Sequence, residues 1–213
     1  MRFAKEAWPF VLPFLLAGGA LLALRLPRWG VASLVVGLLV LLFFRDPARR
    51  FDGDPSIVLA PADGKVTEIR EVEDPEIGPG RHLRIVTFLS VFDVHVQRCP
   101  VSGSVVHSAF RDGLKLAAFR PDVGEKNQAH TNVFRMADGT RIGVRQLAGL
   151  LARRVVSWIG EGEQLERGDR LGVIKFGSRV DLFVPASYRP LVAVGDRVRN
   201  GETPMAVPAE QAP

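Results

Sequence analysis

The sequence predicts a mainly β protein, with a barrel- or sandwich-like domain of short strands behind an N-terminal hydrophobic helical hairpin. Three observations lead to this prediction. Two long apolar runs occupy the N-terminal part, the apolar segments beyond Arg50 are short and often alternate in polarity, and Asp-Gly or Gly-Asp turns separate them. A chain of 213 residues that is 47% hydrophobic can hold one sizeable core and an additional element. We therefore expect a helical hairpin over residues 1–50 and a β domain over 51–213.

The hairpin is predicted from two apolar runs, 7–24 and 31–44, which a short connection with one proline and two arginines separates. Spanning a bilayer takes about 20 apolar residues and tolerates about 17, so the first run suffices and the second needs part of the connection. We interpret the pair as membrane-embedded. A secretory signal peptide is the alternative, because Arg2 and Lys5 precede the first run and small residues occupy 17–20. That alternative leaves an apolar run at the start of the mature chain.

Basic residues on the two sides of the hairpin predict its orientation. The ends carry Arg2, Lys5, Arg45, Arg49 and Arg50, whereas the connection carries Arg25 and Arg28. Because basic residues accumulate on the cytoplasmic side of membrane proteins, we expect both ends, and the β domain, on the cytoplasmic side of the cell (inner) membrane.

Charge and cysteine content exclude several classes of protein. The net charge is +5, but the basic residues are spread out and no helix suited to nucleic acid is recognisable, so attraction to anionic lipid is the simpler explanation. Cys99 is the single cysteine, which excludes an internal disulfide and a cysteine cluster. It lies four residues after His95, and we interpret it as a small buried side chain rather than a nucleophile. The other three histidines have no metal-ligand spacing, so we predict no metal site.

The β domain is predicted from nine strand-like segments, which are 56–59, 65–72, 83–89, 104–110, 132–136, 140–146, 154–159, 171–175 and 180–184. A short helix is expected over 146–153. A polar connection is expected earlier in the chain, over 115–128, where the apolar residues 116–119 are expected to dip into a membrane interface. The Gly-Asp turn at 167–172 is echoed at 194–201, a pattern typical of small modules of the biotinyl and lipoyl kind.

Three short polar blocks carry the candidate chemistry. The first holds Asp63, for which a simple Asx turn is the alternative interpretation. In the second, Asp93 and His95 share one face of an extended segment, and an Asp beside a His can hold its tautomer. The third contains Gly177-Ser178 between two strand-like segments. A serine hydroxyl needs an adjacent base to react, and a glycine before it permits close approach to the carbonyl.

Together, the blocks at 61–66, 88–103 and 175–181 resemble the short form of the phosphatidylserine decarboxylase family in order and spacing. The resemblance covers about residues 45–205 and extends to the hydrophobic hairpin. It implies a proenzyme that cuts itself between Gly177 and Ser178 into a β chain, 1–177, and an α chain, 178–213, which form a heterodimer.

The same resemblance implies the cofactor and the reaction. Ser178 becomes a covalent pyruvoyl group, which forms a Schiff base with the amine of phosphatidylserine and accepts electrons as carbon dioxide leaves. The product is phosphatidylethanolamine. His95 and Asp63 are the candidates for the base in self-cleavage, and His95 is also the candidate acid that reprotonates the product.

One position departs from the family pattern. Longer members carry a second histidine three residues after the first, where this chain has Arg98. Either His95 serves both steps or Asp63 acts more directly. Arg98 is then a candidate for binding the substrate carboxylate or phosphate. Lys126 and His130, with Asn127 between them, are further headgroup candidates.

Two other functional classes remain open at this point. A membrane-anchored, non-enzymatic β adaptor explains the hairpin and the turns, but not the joint occurrence of His95, Asp63 and Gly177-Ser178. A serine hydrolase that keeps Ser178 intact lacks the Gly-x-Ser-x-Gly elbow. A higher homo-oligomer, and the lipid backbone of the substrate, are left open as well.

Overall fold

The computed structural model describes residues 2–114, 127–149, 155–175 and 178–209, and of Ser178 it describes the backbone alone. The chain separates into two units, Met1–Ala48 and Arg49–Pro213. The boundary lies two residues before the one expected from the change in composition at Arg50.

The first unit is a pair of helices, α1 (Trp8–Ala23) and α2 (Pro27–Phe43), which confirms the predicted hairpin. Both helices have a proline in their first turn, where no backbone N–H is needed. Gly18 and Gly30 allow close packing, since a Cβ on either would lie 2.7 Å from a leucine side chain of the other helix. The continuous helical stretch Lys5–Ala23 is long and apolar enough to cross a membrane, whereas α2 is shorter.

In the first unit, two short strands pair with each other, β1 (Arg2–Phe3) and β2 (Arg45–Asp46). The described part of the second unit consists mainly of strands. The second unit contains β3 (Val58–Leu59), β4 (Gly64–Glu73), β5 (Arg81–Leu89), β6 (Val96–Arg98), β7 (Gly103–Arg111), β8 (Ala129–Arg135), β9 (Arg141–Ala148), β10 (Val155–Ser157), β11 (Gln164–Leu165), β12 (Arg170–Ile174), β13 (Ser178–Pro185), β14 (Tyr188–Pro190), β15 (Arg197–Val198) and β16 (Pro204–Pro208).

These strands form one large antiparallel sheet and two small ones. The large sheet has the order β11-β7-β8-β9-β13-β5-β4-β15, and the small sheets have the orders β10-β12-β6 and β14-β16-β3. The main core lies where one face of the large sheet, with Val180, Leu182 and Val184, meets apolar residues of the small sheets such as Ile174 and Met205. The prediction of a mainly β, sandwich-like domain is confirmed.

The other face of the large sheet carries buried ion pairs. Arg145 binds Asp74 at 2.6 Å and Glu76 at 2.7 Å, and Arg179 binds Asp181 at 2.6 Å. Burial by itself raises the pKa of Asp74, but the hydrogen bonds and charge of Arg145 outweigh it and lower that pKa. The pairing compensates charges on this face of the sheet that would be costly to bury alone.

Each of the nine predicted strands overlaps an observed strand, but the helix expected over 146–153 is wrong at its beginning. Gln146 to Ala148 form the end of β9, which pairs with β8 on one side and β13 on the other. Residues 150–154 lie outside the described part. Backbone pairing on both sides outweighs the local helical preference. The strands β14 and β16 were missed because their prolines argue against a strand.

Candidate active site

The backbone of Ser178 begins the central strand of the large sheet. It pairs with Leu89 of β5 on one side and with Ala148 of β9 on the other, and both of those residues are fully buried. Gly177 and the side chain of Ser178 lie outside the described residues. The predicted cleavage bond therefore lies at the entrance to an interior strand, where hydrogen bonds on both sides fix the chain.

The segment before Ser178 is held at a second point, beside His95. The N–H of Ile174 donates to the carbonyl of His95 at 3.2 Å. Three residues separate Ile174 from Ser178, so the intervening chain spans at most about 14 Å. Ile174 is thus held beside His95, and the backbone of Ser178 is held within the sheet.

The imidazole of His95 is completely buried, and its hydrogen bond fixes its tautomer. Nδ1 lies 2.9 Å from the backbone carbonyl oxygen of Asp93. A carbonyl oxygen only accepts, so Nδ1 carries the hydrogen, and in the neutral ring Nε2 holds the lone pair. Nε2 is therefore the nitrogen that can take up a proton.

The expectation that the Asp93 carboxylate orients His95 requires correction. That carboxylate accepts hydrogen bonds from the N–H and the hydroxyl of Ser90, at 2.8 and 2.7 Å, and binds Arg197 at 3.1 Å. It closes a turn, whereas the Asp93 carbonyl holds the imidazole. The prediction that Asp93 and His95 share one face of a strand is wrong, because His95 precedes β6 rather than lying within it.

A buried pair of glutamines positions His95, and sequence reasoning missed both. Gln97 donates to the His95 carbonyl at 2.7 Å, and Gln146 donates to the side-chain oxygen of Gln97 at 2.9 Å. Both glutamines are completely buried. The signal in the sequence was Gln97, an amide within a mostly apolar block, because a buried amide requires hydrogen-bond partners.

We expect Gln97→Met to destabilise the protein by about 1–3 kcal/mol, because the Gln146 amide loses its buried acceptor. The melting temperature of the detergent-solubilised protein measures this. The matched variant Gln146→Met is expected to behave similarly, and the double variant to regain part of the loss, because no buried amide remains unsatisfied. Additive effects of the two substitutions would contradict a coupled pair.

Asp63 lies in a buried turn close to the same region. Its two carboxylate oxygens accept hydrogen bonds from Arg49 and from the backbone N–H of Asn200, both at 2.8 Å. The side chain of Asn200 donates to the carbonyl of Val96 at 2.9 Å, so one residue links Asp63 to the strand after His95. Gly64 has φ +153°, and a Cβ there would lie 2.2 Å from the Phe88 carbonyl oxygen, so the turn requires glycine.

The headgroup candidates are distributed over several strands. Arg98 is buried and donates from one guanidinium nitrogen to the carbonyl of Gly168 at 2.8 Å, so this nitrogen ties β6 to a turn. His130 in β8 lies 3.0 Å from the hydroxyl of Ser108, and burial lowers its pKa. Lys126 lies outside the described residues, as do residues 116–119. Their roles stay predictions.

Asn127 is linked by a hydrogen bond to the residue that pairs with Ser178. Its side-chain amide, completely buried, donates to the carbonyl of Ala148 at 2.6 Å. Ala148 is the residue that pairs with Ser178. Cys99 is completely buried, and burial raises the pKa of its thiol to about 12, which disfavours the nucleophilic thiolate.

Comparison with known proteins gives one consistent result. The family model described as phosphatidylserine decarboxylase matches residues 36–206. A phosphatidylserine decarboxylase proenzyme of Symbiobacterium thermophilum is 43% identical over 206 residues, which cover 94% of this chain and 93% of the relative. Proenzymes of the same name from Saccharopolyspora erythraea and Cupriavidus pinatubonensis are 42% and 38% identical, and cover 91% and 95% of this chain and 85% and 94% of the relatives.

Proposed function

Because this chain belongs to the phosphatidylserine decarboxylase family, we propose that it converts phosphatidylserine to phosphatidylethanolamine with a pyruvoyl group made from its own Ser178. The chain is a carboxy-lyase, which sets aside the adaptor alternative. The observation that carries the proposal is that Ile174 binds the His95 carbonyl while Ser178, four residues later, begins the central strand.

Self-cleavage begins with attack of the Ser178 hydroxyl oxygen on the carbonyl carbon of Gly177. The peptide bond becomes an ester, and the hydroxyl proton moves to a base, for which Nε2 of His95 has the suitable lone pair. Removal of the Ser178 α-proton then breaks the ester, leaving residue 177 as a carboxylate and residue 178 as dehydroalanine. A proton moves from the dehydroalanine nitrogen to its methylene carbon, which gives an imine; water adds to this imine and ammonia leaves, which completes the pyruvoyl group.

The surroundings of Ser178 fit such a group. As the first residue of a strand that is paired on both sides, residue 178 remains held by Leu89 and Ala148 after the preceding bond is cut. The pyruvoyl ketone supplies the electron sink for decarboxylation. His95 holds at Nε2 the proton that the product carbon requires. Proton transfer from a positioned side chain accelerates a reaction by about a hundredfold to ten-thousandfold. Asp63 binds Asn200, which in turn binds the first residue of β6, and in this way Asp63 helps to position His95 directly before that strand.

Substrate binding is assigned to Arg98, Asn127, His130 and Lys126. The guanidinium of Arg98 matches a carboxylate or a phosphate, and Asn127, His130 and Lys126 supply donors for the headgroup. The diacyl substrate remains in the bilayer, so the helical hairpin anchors the enzyme in the cell membrane, with the β domain on the cytoplasmic side.

Conversion of phosphatidylserine with a labelled carboxyl group tests the reaction. Full-length protein in vesicles is expected to release labelled carbon dioxide and form equal amounts of phosphatidylethanolamine. The mass of the 178–213 chain is expected to be lower than that of the unmodified peptide by one ammonia. Hydroxylamine, which reacts with ketones, is expected to stop the reaction. Activity in a protein whose 178–213 chain keeps its amino terminus would contradict the proposal.

After cleavage, the two chains are expected to stay together without a covalent bond. The strand β13 forms eight residue pairs with β5 and six with β9, while β15 and β16 pair with β4 and β3. Removing the small chain would expose the core of the large sheet. We expect co-elution of both chains in mild detergent and separation only in denaturant. Elution of the small chain alone under native conditions would contradict this prediction.

A further inference from the structure

A rigid turn with an apolar tip lies beside the predicted cleavage position. The N–H of Asp93 donates to the carbonyl of Ser90 at 3.0 Å, and the Asp93 carboxylate holds the N–H and hydroxyl of Ser90. Arg197 binds the same carboxylate at 3.1 Å. The turn is therefore fixed at its base, and its two middle residues form what we name the Val91–Phe92 tip.

The composition of the tip is not what a turn requires. The middle positions of β-turns favour Pro, Gly, Asn, Asp and Ser, which have a conformational reason to be there. Here they are apolar, and Val91 is 44% exposed and Phe92 82% exposed. Phe92 is the most exposed large apolar side chain in the described part of the chain. Exposed apolar side chains at the tip of a fixed turn are suited to contact with an apolar surface outside the protein.

The position of the tip connects it to the active site. Leu89, the residue before the turn, pairs with Ser178, and His95 follows the turn after one residue. A surface that receives the tip therefore comes close to the reacting position. A second turn, Ala193 to Asp196, is closed in the same way and exposes 61% of Val194. The ion pair between Arg197 and Asp93 joins these two turns.

The charge around the two turns indicates what they contact. Arg197 is 72% exposed and pairs in the sheet with Lys65, which is also exposed, and Arg199 is 73% exposed. The carboxylate of Asp196 folds back onto the N–H of Ala193 at 2.8 Å. Apolar side chains at a tip with basic side chains beside them match the acyl chains and phosphates of an anionic bilayer.

We propose that the Val91–Phe92 tip inserts into the interface of an anionic phospholipid bilayer and brings the entrance of β13 to the lipid headgroups. This inference rests on the proposed function, because it takes a membrane lipid as the substrate. It assigns to the β domain a membrane contact separate from the hairpin.

Insertion is tested directly with a fluorescent probe. Phe92→Cys in the full-length chain is labelled with a polarity-sensitive dye and reconstituted into phosphatidylcholine–phosphatidylglycerol vesicles with spin-labelled acyl chains. We expect a blue shift and quenching. Ala137→Cys is the matched control, an exposed turn residue at the opposite end of the same sheet, and its dye is expected to stay in water. The native Cys99 is completely buried and does not compete for the dye. A dye at residue 92 that stays in water overturns the proposal.

The second test separates the tip from the chemistry. Phe92→Asp is expected to lower decarboxylation of long-chain phosphatidylserine in vesicles by about tenfold. Self-cleavage and turnover of monomeric short-chain phosphatidylserine are expected to stay unchanged, and Ala137→Asp is expected to lower neither. Equal loss on both substrates assigns Phe92 to the site and overturns the proposal. Wild-type protein that converts neither substrate refutes the proposed function, while the dye result still decides insertion.

Discussion

Replacing Ser178 with alanine is expected to leave the protein as a single chain of 213 residues with no decarboxylase activity. Alanine has no hydroxyl, so the ester cannot form, the bond after Gly177 stays intact and no pyruvoyl group arises. Intact-mass measurement of the purified protein gives the result. The wild type is expected as two species, residues 1–177 and 178–213.

The fold gives this experiment a clear control. Residue 178 enters the sheet through its backbone, which alanine keeps, so Ser178→Ala is expected to fold with an unchanged sheet. Ser187→Ala removes an exposed hydroxyl from the same C-terminal segment and is expected to be processed fully. Cleavage of the Ser178→Ala chain between 177 and 178, or a wild type that remains uncut, would refute the proposed origin of the cofactor.

Replacing His95 with asparagine is expected to reduce decarboxylation per processed chain by about a hundredfold to ten-thousandfold. The asparagine amide can still donate to the Asp93 carbonyl in place of Nδ1, but no basic nitrogen replaces Nε2. The readouts are phosphatidylethanolamine formed per cleaved chain and the rate of chain cleavage in a pulse-chase experiment. Together they separate the two steps.

The comparison of the two rates assigns the base for self-cleavage. If His95→Asn slows both cleavage and decarboxylation, His95 serves both steps; if it slows decarboxylation alone, Asp63 becomes the candidate base for cleavage. His107→Asn, which changes a partly exposed histidine, is the matched control and is expected to keep both rates. Wild-type decarboxylation in cleaved His95→Asn protein would exclude His95 as the acid.

Much of the fold could be predicted because hydrophobic periodicity is a local property. The segment 83–89 is mostly apolar and lies within an interior strand, whereas alternating residues near 65–72 mark a strand with one exposed face. The helix expected at 146–153 failed where Gln146 and Ala148 receive hydrogen bonds from two neighbouring strands. Those pairings join positions 16 or more residues apart along the chain, and no local pattern records them.

The candidate site was predictable in its reactive residues and not in their supports. His95, Asp63 and Ser178 stand out because ionisable groups and a Gly-Ser step are unusual within apolar blocks. Asn200 and Gln146 have ordinary sequence surroundings, but each bonds a group near His95 from a distant segment. Asp93 is the clearest example of what sequence cannot predict. Its carbonyl accepts the hydrogen bond of His95 whereas its carboxylate binds Ser90, and sequence alone does not distinguish these two roles.

The sequence by itself determined the hairpin, the β class, and the family through three ordered blocks, since each depends on residue types at short spacing. Only the tertiary structure decided that residue 178 opens an interior strand, that Nδ1 of His95 binds the Asp93 carbonyl and leaves the lone pair on Nε2, and that Phe92 is exposed beside the site. Backbone pairing and burial are properties of segments far apart in sequence, and they exist only when the sheet has closed around its core.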